Sequence, residues 1–331
     1  MHFIGCDVSK LTLDLAADKG GKQTRISFLK VSNQRSGWTE VMDWAESCCQ
    51  ADRSDICVVM EATGVYHLPV AAYLSSMGFK VQVCNPGRSA DYARSQNRLN
   101  KSDKLDACSL QRYGSSLEKI HWFQPDSPQI SQLKFLLSLL DQLDKDVLRW
   151  QNRLEKASFQ DANAASIPAC KRQLRNLKRE QQRTQQSIDR LVRDDEQLRC
   201  NQRLMCSIKG IGLKTSQQLL PLLYGGRFES ARQLAAFLGL TPCHKTSGTS
   251  LKKSGQLSGR GNAKLRSKLY MPAVSAIQWN PELRAFHDTL LARGKTEKQA
   301  ITAIMRKLVH LCYGVVKNQT PYQENYAALI R

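Results

Sequence analysis

No stretch of this 331-residue chain approaches the roughly 20 apolar residues that a membrane-spanning helix requires, and the first residues show no leader-peptide pattern. Neither membrane insertion nor secretion is expected. None of the 11 cysteines forms a Cys-x-x-Cys pair, and an odd number cannot all be consumed in disulfides. Cys6, Cys57, Cys84 and Cys312 lie inside apolar runs, where a free thiol behaves as a small hydrophobe. A reduced, cytoplasmic protein with neither a zinc site nor a disulfide framework follows. A Gly-rich phosphate loop is missing after the first apolar run, where Ser9-Lys10-Leu11 stands instead; that excludes a doubly wound nucleotide binder. Acidic residues are scarce in one segment. Residues 201–331 carry 5 Asp+Glu against 20 Lys+Arg, whereas 1–125 carry 13 against 15 and 126–200 carry 11 against 14. The net charge of +20 is therefore concentrated at the C-terminal end, an electrostatic footprint for a polyanion. A membrane surface would call for a basic amphipathic helix, so nucleic acid is the favoured partner.

Four of the acids that are present stand in informative places. Asp7 ends the apolar run Phe3-Ile4-Gly5-Cys6, and Glu61 ends Ile56-Cys57-Val58-Val59-Met60. Asp103 and Asp106 are three residues apart, so a helix puts both on one face. A buried strand ending in an acid is costly unless a cation or donor meets the charge. One such acid is equally well a helix cap or turn residue; two of them plus an i, i+3 pair argue for a metal site. Oxygen ligands at this density suit Mg²⁺ or Mn²⁺. Two such ions about 4 Å apart activate the attacking oxygen and stabilise the leaving one in phosphoryl transfer.

Residues 3–8, 11–17 and 24–31 are predicted as strands, with a turn at Asp18-Lys19-Gly20-Gly21. Next come a helix near 35–49, strand 56–61, helix 65–77, strand 80–85, and helices near 87–95 and 103–114. This β-β-β-α-β-α-β-α order is that of a ribonuclease-H/RuvC-like α/β domain, here residues 1–125. Over 126–200, Ile130, Leu133, Leu137, Leu140, Val147 and Leu154 fall on steps of three and four, and the pattern returns at Leu174, Leu177, Ile188, Leu191 and Leu198. Ser166-Ile167-Pro168 separates the two stretches, giving a helical hairpin or two coiled-coil arms. Such arms either pack within the chain or join two copies, and polar Asp144 and Gln151 on the seam favour a partner-dependent coil.

From residue 201 the chain is basic and all-α. Ser207-Ile208-Lys209-Gly210-Ile211-Gly212 before Leu213–Leu220 is similar to a helix-hairpin-helix turn, in which Lys209 and the backbone at Gly210 and Gly212 approach a phosphate. Gly turns between helices also serve packing alone. Farther on, Ser247-Gly248-Thr249-Ser250 opens a segment holding Lys252, Lys253, Ser254, Gly255, Ser258, Gly259 and Arg260, read as a flexible basic loop. Lys252, Lys253, Arg260, Lys264 and Arg266 are expected on phosphates. A serine there is a nucleophile only if something activates it and positions a phosphate, and the residues alone do not single out Ser247.

Taken in order, several of these motifs resemble the DEDD-type insertion-sequence transposases, the bridge-RNA-guided DNA recombinases. The similarity runs over nearly the whole length: Ile4-Gly5-Cys6-Asp7-Val8-Ser9-Lys10, Glu61-Ala62-Thr63-Gly64, Asn85-Pro86, Asn100-Lys101-Ser102-Asp103-Lys104-Leu105-Asp106-Ala107, Gly210-Ile211-Gly212, Phe237-Leu238-Gly239-Leu240-Thr241-Pro242, Ser247-Gly248-Thr249-Ser250 and Gly261-Asn262-Ala263-Lys264-Leu265-Arg266. The resemblance implies that Asp7, Glu61, Asp103 and Asp106 hold two Mg²⁺ or Mn²⁺ ions and that Ser247 is the nucleophile, forming a 5′-phosphoserine on DNA. It also implies a noncoding bridge RNA, donor and target DNA as partners, a dimer that becomes a tetramer on DNA, and a nucleoid-associated location while bound. Cys6 stands where the family has an aliphatic residue, and Lys252-Lys253 where it often has a basic residue then Gly. Two rival readings remain. A junction nuclease would use the same four acids with water and no serine, and a non-catalytic nucleic-acid-binding protein would be indifferent to metal.

Overall fold

The structure is a computed structural model that describes residues 1–19, 26–62, 64–96, 102–160, 166–247, 251–257 and 261–323; the side chains of 243–247 and 251–256 lie outside that description. The chain divides into two units, Met1–Asp126 and Ser127–Arg331.

The first unit is built on a five-stranded mixed sheet. Its elements in order are β1 (His2–Val8), β2 (Thr12–Asp18), β3 (Ile26–Ser32), α1 (Arg35–Cys49), β4 (Ile56–Glu61), α2 (His67–Ser76), β5 (Lys80–Cys84), α3 (Pro86–Ser95) and α4 (Asp103–Ser115). The strand order is β3-β2-β1-β4-β5, with β1, β2 and β3 antiparallel and β1, β4 and β5 parallel. The predicted element order holds, with boundaries moved by a residue or two. Part of the predicted Asp18–Gly21 turn lies outside the described residues.

Local chemistry explains the pairing. A tight turn joins β1 to β2, where the Ser9 hydroxyl accepts from Thr12 N–H at 2.9 Å. Parallel neighbours instead need helical crossovers, which α1 and α2 supply. Those helices cover one face of the sheet, so Ile4, Cys6, Val8, Val58 and Met60 pack with Val41, Ala45, Val70 and Leu74. The opposite face meets α4, where Cys57, Val59 and Cys84 pack with Leu110 and Tyr113. With helices on both faces, β4 is apolar throughout instead of alternating.

Strand periodicity puts Phe3, Gly5 and Asp7 on the α4 side together. The helix closes very tightly there. A Cβ on Gly5 would lie 1.8 Å from the Ala107 carbonyl oxygen and 2.5 Å from Gln111 N, while one on Gly114 would lie 2.4 Å from Val59 Cγ2. Ala107, Gln111 and Gly114 form one stripe of α4, and Asp103 continues that stripe one turn earlier. Gly5 thus sets how near the N-terminus of α4 comes to the end of β1. Gly5→Ala is expected to cost about 1–3 kcal/mol or more, because the clash is with backbone that cannot rotate aside. Thermal unfolding would show a Tm lowered by several degrees; an unchanged Tm would contradict the tight contact.

The second unit is helical and carries one two-stranded sheet. It comprises α5 (Pro128–Gln160), α6 (Ser166–Asp194), α7 (Glu196–Cys206), α8 (Leu213–Leu223), α9 (Ala231–Phe237), β6 (Pro242–Ser247), β7 (Leu251–Leu257), α10 (Ala263–Lys268), α11 (Tyr270–Trp279), α12 (Pro281–Ala292) and α13 (Glu297–Asn318). Helices α5 and α6 form an antiparallel pair, with Gln181 donating to Asp144 across it. Ser166-Ile167-Pro168 is the first turn of α6, where a proline lacks no needed N–H. Ile130, Leu133 and Leu137 of α5 and Ile188 and Val192 of α6 share a single core with Leu198, Leu220, Leu234, Ile304 and Leu308. The composition changes at residue 201, but the packing does not.

One sequence expectation is corrected. The segment that opens at Ser247, expected as a flexible basic loop, lies in part in a two-stranded antiparallel sheet: β6 pairs with β7, with Ser247 opposite Leu251 and Thr246 opposite Lys252. Its Lys-, Ser- and Gly-rich composition has low strand propensity, but pairing the two runs satisfies their backbone groups mutually.

Candidate active site

The four predicted metal ligands lie on the elements the sequence assigned to them. Asp7 is half-buried near the end of β1, Glu61 is the last residue of β4, and Asp103 and Asp106 occupy the first turn of α4. Ser102 caps that helix, its hydroxyl accepting from Leu105 N–H at 3.3 Å, and the helix dipole favours carboxylates at this end. Ser89 of α3, itself buried, donates to Glu61 Oε2 at 3.0 Å.

These charges crowd one another. The Asp7 carboxyl is pushed up from 3.8 to about 6, by burial first and then by Asp106, Asp103, Asp14 and Glu61. Asp14 had not been singled out from the sequence. It faces Asp7 directly across β1–β2, only 6% exposed, and Lys30 sits opposite it on β3. Lys30 Nζ is 3.0 Å from Asp14 Oδ2 and 3.6 Å from Asp103 Oδ2. The readable signal was the alternation Leu13-Asp14-Leu15, which turns Asp14 to the face opposite its apolar neighbours.

Among the described residues no group of three or more His, Cys, Asp or Glu side chains stands close enough to hold an ion as it is. The chemistry of the donors nevertheless fits a hard cation: five carboxylates and, among the described residues, one lysine in ion-pair contact. A bound cation would offset the repulsion felt at Asp7.

Ser247 is the last residue of β6, in the other unit. Its side chain and those of Lys252 and Lys253 lie outside the description, and Ser250 and Arg260 are outside the described residues altogether. Backbone hydrogen bonds fix the residues that flank β6 and β7. Leu240 N–H donates to Ala235 O at 2.9 Å, and Asn262 N–H donates to Phe237 O at 3.0 Å. Gly261, at φ +102°, is so close to α9 that a Cβ would meet Gly239 N at 2.6 Å. Both strands therefore spring from the C-terminal end of α9.

Several expected phosphate contacts are already occupied within the unit. Lys264 Nζ lies 2.5 Å from Asp141 Oδ2, and Lys268 pairs with the other oxygen of that buried carboxylate. Arg266 donates to Leu238 O at 3.1 Å, closing the end of α9. Gly210 is needed for packing: at φ +103° its added Cβ would lie 2.5 Å from Ala276 Cβ. Lys209 is exposed. Gly212 caps α8, and its added Cβ would meet nothing within 4 Å.

Basic residues not singled out by sequence complete the picture. Arg306, His310 and Tyr313 share one face of α13, and Tyr313 donates to Phe228 O at 3.0 Å, just ahead of Arg232 in α9. His310 is held below the usual imidazole value by burial, then by Arg306, Lys307 and Arg232. Its Nε2 is buried without a hydrogen-bond partner among the described residues. Replacing Arg232 and Arg306 together with Gln is expected to lower the slope of log affinity for DNA against log salt by about two. A salt titration with an unchanged slope would place the phosphate-binding face elsewhere.

A mixed sheet carrying acids at adjacent strand ends, followed in the sequence by a basic helical unit, is an arrangement suited to an enzyme that acts on nucleic acid. Residues 4–157 match the family model DEDD_Tnp_IS110, described as a transposase, and residues 202–288 match that of the Transposase IS116/IS110/IS902 family. The Pilin gene-inverting protein of Moraxella lacunata is 30% identical over 329 residues, covering 97% of this chain and 98% of that one. Its Moraxella bovis counterpart aligns with the same identity and coverage. The IS110 uncharacterized 43.6 kDa protein of Streptomyces coelicolor is 30% identical over 126 residues, 38% of this chain and 31% of that one. The chain belongs to the IS110-family transposases. No described helix is long and apolar enough to cross a membrane.

Proposed function

We propose that this transposase moves an insertion sequence by cleaving and rejoining DNA through a 5′-phosphoserine on Ser247, with two divalent ions held by Asp7, Glu61, Asp103 and Asp106. The observation that carries the reading is the crowding of acids around half-buried Asp7, whose carboxyl is raised to about 6 by burial first and then by four like charges. Folded proteins rarely keep such repulsion without a use for it. When bound, Mg²⁺ or Mn²⁺ would supply Lewis-acid polarisation of the scissile phosphate. Asp7 and Glu61 hold from the sheet, Asp103 and Asp106 from the helix, and Ser89 keeps Glu61 in place. In the cleavage step the Ser247 Oγ–P bond forms, the P–O3′ bond breaks, and the serine proton passes to the departing 3′ oxygen. The reverse exchange with a second 3′-hydroxyl reseals DNA, so no nucleotide cofactor is needed.

A noncoding bridge RNA would supply sequence choice by pairing with donor and target DNA, while the protein reads RNA shape and backbone. Family membership and the +20 charge support this. Dimerisation through the α5–α6 arm is supported by Leu148 and Phe159, which lie on one face of α5 and are 58% and 93% exposed; a tetramer on DNA follows from the family resemblance alone. Action on DNA places the protein in the cytoplasm, at the nucleoid when bound. The deciding experiment is to stall the reaction with a nicked substrate, isolate protease-sensitive protein–DNA species and map the modified peptide. A phosphate on Ser247 supports the reading; cleavage without any adduct selects the nuclease that uses water, and an absence of both with DNA binding intact selects the non-catalytic binder.

A further inference from the structure

Among the described residues, Lys30 is the cationic side chain in ion-pair contact with the acid cluster, and its two contacts differ in kind. Asp14, at 3.0 Å, is buried and directly opposite Lys30 in the β2–β3 register. A buried carboxylate left without a partner is strongly disfavoured, so this contact is firmly held. Asp103, at 3.6 Å, has a side chain 65% exposed, and exposed ion pairs contribute little. The neighbouring cation, Lys104, is directed over the Phe28 ring at 5.5 Å and does not compete for either acid. Together Asp14, Phe28, Lys30 and Lys104 border a small cavity of about 140 Å³ beside the first turn of α4, which leaves the Lys30 ammonium room to shift.

We propose that Lys30 is a built-in counter-ion of the catalytic acids: it occupies Asp103 in the metal-free protein, yields that carboxylate when a divalent cation binds, and remains on Asp14. The inference rests on the reading of Asp103 as a metal ligand. It makes Lys30 a positioning residue. Its ammonium limits repulsion among the acids before the metal arrives and opposes the metal once it is there.

The sign of the effect follows from charge. A +1 group a few ångströms from an incoming +2 ion weakens its binding, so Lys30→Met is expected to bind Mg²⁺ on the order of tenfold more tightly. Lys30→Arg, keeping the charge, should bind as the parent does. The measurement is calorimetric titration of metal-free full-length protein with MgCl₂, with no DNA and no turnover. If loss of the buried pair prevents Lys30→Met from folding, the same substitution is made in an Asp14→Asn background, where no buried charge is left unpaired, and should bind Mg²⁺ more tightly than Asp14→Asn alone. Unchanged or weaker Mg²⁺ binding in the folded variant overturns the proposal. Asp7→Asn and Asp106→Asn separate its failure from that of the underlying reading. If they abolish Mg²⁺ binding while Lys30→Met does not tighten it, Lys30 alone is misassigned. If they leave Mg²⁺ binding untouched, the acids are not the metal site and the counter-ion role falls with them.

Discussion

Ser247→Ala protein is expected to fold, bind DNA and RNA, and form no covalent protein–DNA species. Removing a nucleophile removes the step, not merely a contact within it; knocking out the serine of a serine hydrolase costs about a millionfold in turnover. The change should also be mild for the fold, since Ser247 ends a strand whose hydrogen bonds are made by backbone. Ser250→Ala, Ser254→Ala and Ser258→Ala are expected to retain adduct formation; Ser250, Ser258 and the Ser254 side chain lie outside the described residues. Peptide mapping is the check. A phosphate found on Ser250, or on a tyrosine such as Tyr270, rejects the assignment.

Loss of any one carboxylate of the quartet should be nearly as severe. Asp7→Ala, Glu61→Ala, Asp103→Ala and Asp106→Ala are each expected to reduce recombination by more than about a hundredfold, since even the outer partners of metal ligands are worth roughly 10–100-fold. RNA and DNA binding are expected to persist, on the proposal that the basic second unit carries them. Stability should move the other way at Asp7. Because its carboxyl is raised to about 6, the folded state resists its ionisation. That penalty is absent below about pH 4, grows as pH rises, and is complete above about 6. Removing the acid therefore raises Tm at pH 8 in metal-free protein and changes little at pH 4. Near-normal recombination by two of the four variants, measured at saturating Mg²⁺, would reject the metal assignment.

The first unit was legible because its signals are local. Apolar runs ending in acids, a two-residue strand period and Pro86 after the capping Asn85 each mark an element within a few residues. What the sequence hid depends on partners far along the chain. Asp14 is notable only once β1 and β2 are in register, and Lys30 only once β3 joins them. Lys264 and Arg266 looked like phosphate ligands because nothing nearby in sequence neutralises them. Their partners, Asp141 and the Leu238 carbonyl, come from α5, more than 120 residues earlier, and from the end of α9, 28 residues earlier. The β6–β7 hairpin was missed because its stability comes from pairing, which composition does not report.

The single core that runs from α5 to α13 bears on how this transposase can be dissected. A fragment cut to the matched segment 202–288 would lose Ile130, Leu133, Ile188 and Leu198 on one side and all of α13 on the other. It would present uncovered leucines to solvent and aggregate. The other matched segment, 4–157, stops inside α5 and strands most of that helix without its α6 partner. Inheritance and cooperative folding thus follow different borders in this chain. The smallest pieces with a claim to independent existence are cut near residue 126, where the heptad-like arm travels with the basic end of the molecule.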